Sequence, residues 1–442
     1  MHDSPMMQPL PELRRHVARV VDDDTVGTQD RQVAPRLRVL VHGINYAPEL
    51  TGIGKYTGEL CEWLAHRGHD VRVITAPPYY PEWRVPQGYS SRVYRTEMRN
   101  GVRVTRCPLW VPRRLSGARR IMHLASFAAA SAPLVAAAVT WRPQVVLVVE
   151  PTLFCAPAAW LLARLCGAKA WLHVQDFEFD AAFSLGMLPP RLAKPVHAME
   201  RLVMGAFDRV STISEKMRDK LAGKGVPVDR TVLFPNWVDC TDIHPLAGPS
   251  RMRADLGIPP DTCVALYSGN MGEKQGLEIV IDAAMQLEKQ RNLLFVLCGD
   301  GGARASLEAR AAGVSNVRWL PLQPAERLNG LLNVADIHLL PQRADAADLV
   351  MPSKLTGMLA SGRPVLATAH AGTTLAKIVT ECGVVTPPGD TASFVDAVRE
   401  LERHSIARRA LGAAARRYAE QNLHKDAVLA RFERELLSCV AA

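Results

Sequence analysis

The chain has 442 residues, 48% of them hydrophobic and 22% charged, a composition typical of a soluble globular protein with two or three domains. The formal net charge of +9 is modest for this length, so it requires no nucleic-acid partner, and an anionic ligand or an anionic membrane surface fits it equally well. Nine cysteines occur without any Cys-x-x-Cys pair, which argues against a zinc site or a disulfide framework and favours reduced thiols in a cytosolic protein.

The first predicted elements follow a polar extension. Residues 1–36 carry no apolar segment of the signal-peptide kind, and we predict that they are disordered. Apolar runs then alternate with helical patterns along the rest of the chain. The runs predict strands at 37–44, 70–76, 144–150, 168–176 and 209–214, and after about residue 240 the series restarts at 263–270, 293–301, 317–322, 337–341 and 363–369.

This alternation is typical of parallel sheets that are covered by helices on both faces. The two series predict an α/β fold with two doubly wound, Rossmann-like domains that face each other across a cleft. We expect the boundary within residues 235–250, which are rich in Pro, Asp and Gly. Because ligands bind at the carboxyl ends of the strands in such sheets, the functional site is expected in the cleft.

The alanine-rich segment 113–139 is predicted to form a long helix. Its residues 121–139 carry no charge and are nearly long enough to span a bilayer, but His123 and Pro133 favour a buried or interface-facing helix instead. Arginines at its start either meet anionic lipid headgroups or form an ordinary solvated helix start. These are Arg113, Arg114, Arg119 and Arg120.

Two lysine-bearing helix starts in the second half are candidates for a diphosphate clamp. Ser353 and Lys354 open a predicted helix, where unpaired backbone N–H groups and the helix dipole favour a phosphate. Asn270 and Lys274 lie in a glycine-bearing loop between a strand and a helix, although this loop lacks the end of a Walker A motif. Each segment alone could be an ordinary capped helix with a surface lysine. The prediction of a diphosphate clamp therefore depends on the presence of both segments.

Glycines also follow the first predicted strand. Gly58 lies four residues beyond Gly54, where a dinucleotide-binding fingerprint needs three, so a nicotinamide enzyme is disfavoured. Gly52 and Gly54 instead allow a loop to approach a ligand closely, or form a simple turn into the next helix.

Polar residues end the predicted strand 168–176. His173 and Gln175 share one face of the strand, and Asp176 comes where the strand should end. Asp176 is therefore a candidate site residue, whereas a lone histidine is more often a satisfied core residue. No cluster of His, Asp and Glu has metal-ligand spacing, so no metal is expected.

The chain from residue 37 to the C-terminus resembles the retaining nucleotide-sugar glycosyltransferases of the GT-B type, family 4, and among them the colanic-acid-type exopolysaccharide enzymes. The resemblance rests on six segments in family order: NYAPELTGIGKYTGEL, VQDFEFD, FPNWVD, YSGNMGEKQGLE, LCGDGGAR and MPSKLTGMLASGRPVLAT. It implies an acceptor domain at 37–238, a nucleotide-sugar domain at 239–405, and a C-terminal helix at 406–442 that packs back onto the first domain.

The resemblance also assigns site residues. It makes Asp176, Gln175 and Lys274 the catalytic positions. The donor-binding positions are Gly52, Gly54, Asn270, Lys274, Gly299, Gly301, Ser353 and Lys354. The chain departs from the family pattern in two places. The paired glutamates of the family would fall at about Leu349 and Gly357, with Asp348 beside the first, and the usual His-Asp pair reads Gln175-Asp176.

By this resemblance the protein is a hexosyltransferase that moves a sugar, with GDP-fucose as the candidate donor, to a lipid-diphosphate-linked oligosaccharide with retention of configuration. It is expected in the cytoplasm or on the inner face of the cell membrane, without nucleic acid. No metal or other cofactor is expected, because fixed donors stabilise the leaving diphosphate. Two alternatives stay open: a nucleotide-sugar 2-epimerase of the same architecture, and a non-catalytic scaffold of a polysaccharide-assembly complex.

Overall fold

The computed structural model describes residues 35–49, 52–112, 116–151, 153–184, 188–344 and 352–442. The extension predicted for residues 1–36 lies outside the described residues except for its last two positions, and so do Asp348 and Leu349.

Eight strands of the described residues form a first sheet. They are β1 (Arg38–His42), β2 (Asp70–Thr75), β3 (Arg95–Arg99), β4 (Val102–Arg106), β5 (Val145–Val149), β6 (Lys169–Val174), β7 (Arg209–Thr212) and β8 (Thr231–Leu233). Their order is β3-β4-β2-β1-β5-β6-β7-β8, and neighbours pair in parallel except β3, which runs antiparallel to β4. At the centre, Val41 lies beside Val73 on one side and Leu147 on the other, and all three side chains are buried.

A second, all-parallel sheet comprises six strands of the described chain. They are β9 (Cys263–Ser268), β10 (Leu293–Cys298), β11 (Val317–Leu320), β12 (Ile337–Leu340), β13 (Val365–Thr368) and β14 (Gly383–Thr386). Their order is β11-β10-β9-β12-β13-β14. The ten predicted strands all form, and the doubly wound α/β fold is confirmed.

Helices connect the strands and cover both sheets. The α-helices of the described residues are α1 (Gly52–His66), α2 (Gly117–Ala137), α3 (Ala156–Cys166), α4 (Glu178–Ser184), α5 (Ala193–Gly205), α6 (Glu215–Gly223), α7 (Arg251–Asp255), α8 (Glu278–Gln286), α9 (Arg304–Arg310), α10 (Leu328–Leu332), α11 (Lys354–Ala360), α12 (Thr374–Cys382), α13 (Thr391–Arg403), α14 (Ser405–Tyr418) and α15 (Lys425–Ala441).

The last helix, α15, belongs to the core of the first sheet. The Phe432 ring stacks on Phe234 at a centroid distance of 3.9 Å and meets the edge of Trp171 at 5.1 Å. Nearby, His69 accepts a hydrogen bond from a backbone N–H at Nδ1, so its Nε2–H donates to Glu433, 2.9 Å away. The limits 37–238, 239–405 and 406–442 stay predictions, because residues Arg36–Ala442 form one compact unit.

The apolar helix predicted at 113–139 is α2, and Arg113 and Arg114 lie outside the described residues. The segment Gly117–Trp141 is long and apolar enough to cross a membrane by length and composition alone. One face of α2 nevertheless packs in the core of the first sheet through Leu124, Phe127 and Val135. One face of the helix is therefore part of the core, while its opposite face, which includes Met122, is exposed and apolar.

Candidate active site

Two loops at the carboxyl edge of the second sheet pack backbone against backbone. Gly299 follows β10 with φ +144°, and a Cβ there would lie 1.9 Å from the carbonyl oxygen of Gly269, which follows β9. Gly301 has φ +152°, and its Cβ would lie 2.5 Å from the Met271 carbonyl oxygen. Only glycine fits this approach. Gly299 and Gly301 thus bring the loop after β10 against the loop that carries Asn270 and Lys274.

Lys354 lies over the first residues of the same loop. Its Nζ donates to the Tyr267 hydroxyl at 2.8 Å and is 4.1 Å from the centre of that ring. The hydroxyl in turn donates to the Asn270 carbonyl oxygen at 2.5 Å. A Cβ on Gly269 would lie 3.5 Å from Nζ. Burial lowers the pKa of Lys354 to about 7, so an anion that binds here would favour the charged form.

The start of α11 faces the first half of the chain. Ser353 occupies the N-cap position, but its hydroxyl makes no capping hydrogen bond and its side chain is exposed. One turn later, the Thr356 hydroxyl, which donates to the Ser353 carbonyl oxygen at 2.9 Å, lies beside the hydroxyl of Tyr56 in α1. Helix α1 begins at Gly52, so the predicted glycines Gly52 and Gly54 and the predicted Ser353 and Lys354 lie on two helices that touch.

A buried carboxylate supports the start of α1. A Cβ on Gly54 would lie 2.4 Å from Oε2 of Glu49, so glycine is required for this packing. Glu49 Oε2 accepts from Asn45 Nδ2 at 2.9 Å, and Oε1 accepts from the backbone N–H groups of Tyr79 and Tyr80 at 3.1 Å each. Burial raises the pKa of Glu49. The sequence analysis missed Glu49, because its partners come from a loop 30 residues away.

Gln175 and Asp176, both predicted as catalytic, lie in different surroundings. Gln175 is buried, and its Nε2 donates to His173 Nε2 at 3.1 Å. The Nδ1–H of that histidine then donates to Ser211 Oγ at 2.9 Å, and burial lowers the pKa of His173 to about 3. The Gln175 amide is therefore engaged with the strand core, which leaves the following residue, Asp176, as the half-buried group at the end of β6.

Asp176 lies within electrostatic reach of both halves of the chain. Burial raises the pKa of its carboxyl, and the positive charges of Arg120 in α2 and Lys274 after β9 oppose that rise. Lys274 is exposed on the turn 273–275. Lys274 and Lys354 thus both lie on the side of the second sheet that meets the first half of the chain.

Arg120 and Glu150 are further candidates that the sequence analysis did not assign to the site. Arg120 lies in the first turn of α2, and its charge acts on Asp176. Glu150 is buried directly after β5, and its backbone N–H donates to the His173 carbonyl oxygen at 3.0 Å. The sequence pattern that could have identified Glu150 is the one that identified Asp176, a carboxylate at the end of a buried strand.

One group of residues in the described chain has ligand atoms within 4.8 Å of one another, as a metal site would: Asp180, His197 and Glu200. However, Lys224 Nζ lies 2.9 Å from Asp180 and 2.7 Å from Glu200, and Lys220 Nζ lies 2.5 Å from Asp180. The lysines already neutralise these carboxylates, so this group is an ion-pair network beside the Asp176 segment. Chemistry without a metal stays a prediction.

Comparison with known proteins identifies both halves of the chain. Residues 51–237 match the glycosyl transferase 4-like domain, and residues 262–404 match the glycosyl transferases group 1. The chain is 43% identical over 410 residues to the "Putative colanic acid biosynthesis glycosyl transferase WcaI" of Escherichia coli, covering 90% of this chain and 98% of that one. It is 29% identical to a D-inositol 3-phosphate glycosyltransferase of Corynebacterium aurimucosum over 50% of this chain and 55% of that one.

Solved structures agree on the fold. Sucrose-phosphate synthase from Thermosynechococcus elongatus superposes with a TM-score of 0.73 at 17% identity, over 92% of this chain and 100% of that chain. HepE from Anabaena, solved in complex with UDP, gives a TM-score of 0.67 at 13% identity, over 91% of this chain and 100% of that chain. The resemblance and the GT-B fold expected from the six sequence segments are confirmed. The chain therefore belongs to the family of GT-B glycosyltransferases that combine a glycosyl transferase 4-like domain with a group 1 domain, and it is a hexosyltransferase.

Proposed function

We propose that this enzyme transfers a sugar from a nucleotide-sugar donor to a lipid-diphosphate-linked oligosaccharide in colanic-acid-type exopolysaccharide biosynthesis. The observation that carries the proposal is the placement of Lys354 and Lys274 on the glycine-built edge of the second sheet, opposite Asp176. The 43% identity to a relative named for colanic acid biosynthesis supports the pathway class. GDP-fucose is the candidate donor.

The donor diphosphate would lie between Lys354, Lys274 and the Asn270 loop. Cleavage of the glycosidic bond leaves negative charge on the diphosphate, and fixed cations and N–H groups stabilise that charge more strongly as it grows. HepE, which has the same fold, was solved with UDP, and this supports a nucleoside diphosphate as the leaving group. No metal is required in this scheme.

Retention of configuration follows if the acceptor hydroxyl attacks the face from which the diphosphate departs. The new bond joins the acceptor oxygen to the anomeric carbon, the bond to the phosphate oxygen breaks, and the departing phosphate oxygen takes the hydroxyl proton. Asp176 would orient this hydroxyl or stabilise the oxocarbenium-like sugar. Contact between α1 and α11 through Tyr56 and Thr356 would limit hydrolysis of the donor by excluding water.

The lipid-linked acceptor places the enzyme at the inner face of the membrane. Helix α2 supports this proposal, because its outer face is apolar and its first turn carries the exposed Arg119. An amphipathic surface with a basic residue at its border suits an anionic lipid interface.

The test uses the full-length protein with GDP-, UDP-, ADP- and dTDP-sugars. Thermal shifts identify the donor, and Lys354→Ala should abolish the response to the best ligand. Transfer of the tritiated sugar is then measured with the polyprenyl-diphosphate-linked oligosaccharide fraction of the producing cells, with and without EDTA. Conversion of the donor without acceptor would indicate an epimerase, and absence of any nucleotide response would indicate a scaffold. Loss of transfer in EDTA would contradict a metal-free reaction.

A further inference from the structure

A loop rich in aromatic residues follows β2 and is fixed to the start of α1. Glu49 accepts from the backbone N–H groups of Tyr79 and Tyr80, and its second oxygen is bound by Asn45. The Tyr79 ring packs edge-on against His123 at 4.7 Å and against Trp83 at 5.4 Å. The backbone of this loop is therefore held from two sides, by a carboxylate and by α2.

Within this loop, the Tyr80 side chain is partly exposed to solvent. Tyr80 is 43% exposed, whereas the adjacent Tyr79 is 5% exposed. A Cβ on Gly52 would lie 3.9 Å from Tyr80 Cε1, so the ring stands beside the first residue of α1. The same helix reaches the second half of the chain one turn later through Tyr56. Tyr80 is thus an exposed aromatic ring beside the start of α1, in a loop whose backbone is hydrogen-bonded to Glu49.

The order of the strands gives an approximate lateral offset between the strands that precede this ring and Asp176. Tyr80 follows β2 and Asp176 follows β6, and these strands are separated by β1 and β5, or roughly 14 Å at ordinary strand spacing. Helix α2 bridges the interval, because Arg120 acts on Asp176 and His123, one turn later, contacts Tyr79. An offset of this size is larger than one pyranose, so an acceptor that spans from Asp176 to Tyr80 would contain more than one sugar.

We propose that the Tyr80 ring is the stacking platform for a sugar of the acceptor glycan remote from the reacting hydroxyl, and that Glu49 is the positioning residue that fixes this platform. The inference rests on the proposed function and names the part of the acceptor that this chain recognises. The apolar C–H face of a pyranose matches an aromatic ring, and binding sites commonly combine such rings with a few polar groups. A preorganised ring binds with less loss of conformational entropy than a mobile one.

The first experiment compares Tyr80→Ala and Tyr80→Phe with the wild-type enzyme. The donor is the tritiated nucleotide sugar that the wild type transfers best, and the acceptor is the polyprenyl-diphosphate-linked oligosaccharide fraction of the producing cells. We expect Tyr80→Ala to raise the KM for this fraction about tenfold. The donor KM should change by less than the acceptor KM, although the ring lies beside the predicted donor-binding Gly52. Tyr80→Phe keeps the ring and should match the wild type.

The second experiment tests the positioning residue. Glu49→Ala frees both backbone N–H groups and should raise the acceptor KM as Tyr80→Ala does, whereas Glu49→Gln retains an oxygen for these N–H groups and should recover most of the affinity. An unchanged acceptor KM in Glu49→Ala would overturn its positioning role. Tyr80 is exposed, so its variants should fold normally and keep the platform testable if Glu49→Ala does not fold.

The outcomes separate the two proposals. If the wild type transfers sugar to the oligosaccharide fraction and Tyr80→Ala does so with the same acceptor KM, the platform is wrong and the proposed function stands. If the wild type transfers no sugar to that fraction, the proposed function itself fails, and the platform fails with it.

Discussion

Lys354 is buried and is expected to bind an anionic ligand, so the affinity for that ligand should depend on pH. In the free enzyme, burial lowers the pKa of Lys354 from 10.5 to about 7. A bound diphosphate favours the protonated ammonium and raises this pKa again. Affinity for a nucleotide sugar should therefore be greatest below pH 7 and fall above it, by up to about tenfold per pH unit. Titration calorimetry at several pH values measures this, because the diphosphate of a nucleotide sugar does not itself titrate in this range.

The matched control is Lys354→Met, which keeps an unbranched apolar side chain and should bind weakly with no such pH dependence. The lowered pKa of Lys354 also affects the stability of the free enzyme, which should rise with pH where ligand affinity falls. Between about pH 7 and pH 10.5 the unfolded chain holds a proton on this lysine that the folded chain lacks, so the contribution of Lys354 to the free energy of unfolding rises with pH. Equal wild-type affinities at pH 6 and pH 9 would contradict the assignment.

Gly299 allows a second prediction at the scale of one residue. A Cβ at Gly299 would meet the Gly269 carbonyl oxygen at 1.9 Å with φ at +144°, whereas a Cβ at Gly302 would meet no heavy atom of the described residues within 4 Å. We expect Gly299→Ala to lower the free energy of unfolding by at least about 3 kcal/mol and to weaken nucleotide binding. Gly302→Ala should change little. Denaturant unfolding of both variants checks this, and similar stabilities would show that the two loops can separate without loss.

Single residues also mark the limit of what the sequence predicts. Lys354 was found because it opens a predicted helix, and Lys274 and the glycines because they lie in loops that follow predicted strands. Glu49 and Arg120 were missed, because their importance comes from partners on other loops. The hydroxyl of Ser353 shows the converse, since it occupies the N-cap position without capping the helix.

At the scale of elements, the sequence identified most interior strands and missed most edge strands. Nine of the ten predicted strands lie inside the sheets and the tenth, β11, is an edge strand, whereas the missed β3, β8 and β14 are edge strands and β4 adjoins an edge. Strand β3 reads RTEMR and is mostly polar, whereas β8 (TVL) and β14 (GVVT) are apolar but too short to stand out as apolar runs. The hairpin between β3 and β4 did carry a signal, the turn formed by Asn100 and Gly101, both with positive φ.

Helix α2 carries the prediction at this scale. Met122 on its outer face is 53% exposed, so Met122→Glu should leave the fold intact and reduce binding to vesicles that contain phosphatidylglycerol several-fold, because it places a negative charge at the proposed lipid interface. Leu202→Glu in α5 is the control, since Leu202 is 77% exposed on another helix. Vesicle flotation measures the binding. Wild-type protein that fails to float, or equal losses in both variants, would argue against docking through α2.

At the scale of the whole molecule, the last helix makes the first sheet dependent on the end of the chain. The segment after β14 returns through α13 and α14, and Val238 pairs with His424 just before α15 begins. Helix α15 then supplies Phe432 to the core between Phe234 and Trp171. The first half therefore completes its core only after the second half has been synthesised.

Because α15 contributes to the core of the first sheet, replacing its buried residue should destabilise the protein much more than replacing an exposed residue of the same helix. Phe432→Ala removes a buried ring from the first core and should cost about 3–5 kcal/mol of unfolding free energy, while Arg434→Ala, an exposed position on the same helix, should change it by less than about 0.5 kcal/mol. Guanidinium unfolding measures both. Because the proposed donor site lies on the second sheet, the folded fraction of Phe432→Ala should still bind nucleotide sugar. Equal stability of the two variants would mean that the Phe432 ring contributes little to the core of the first sheet.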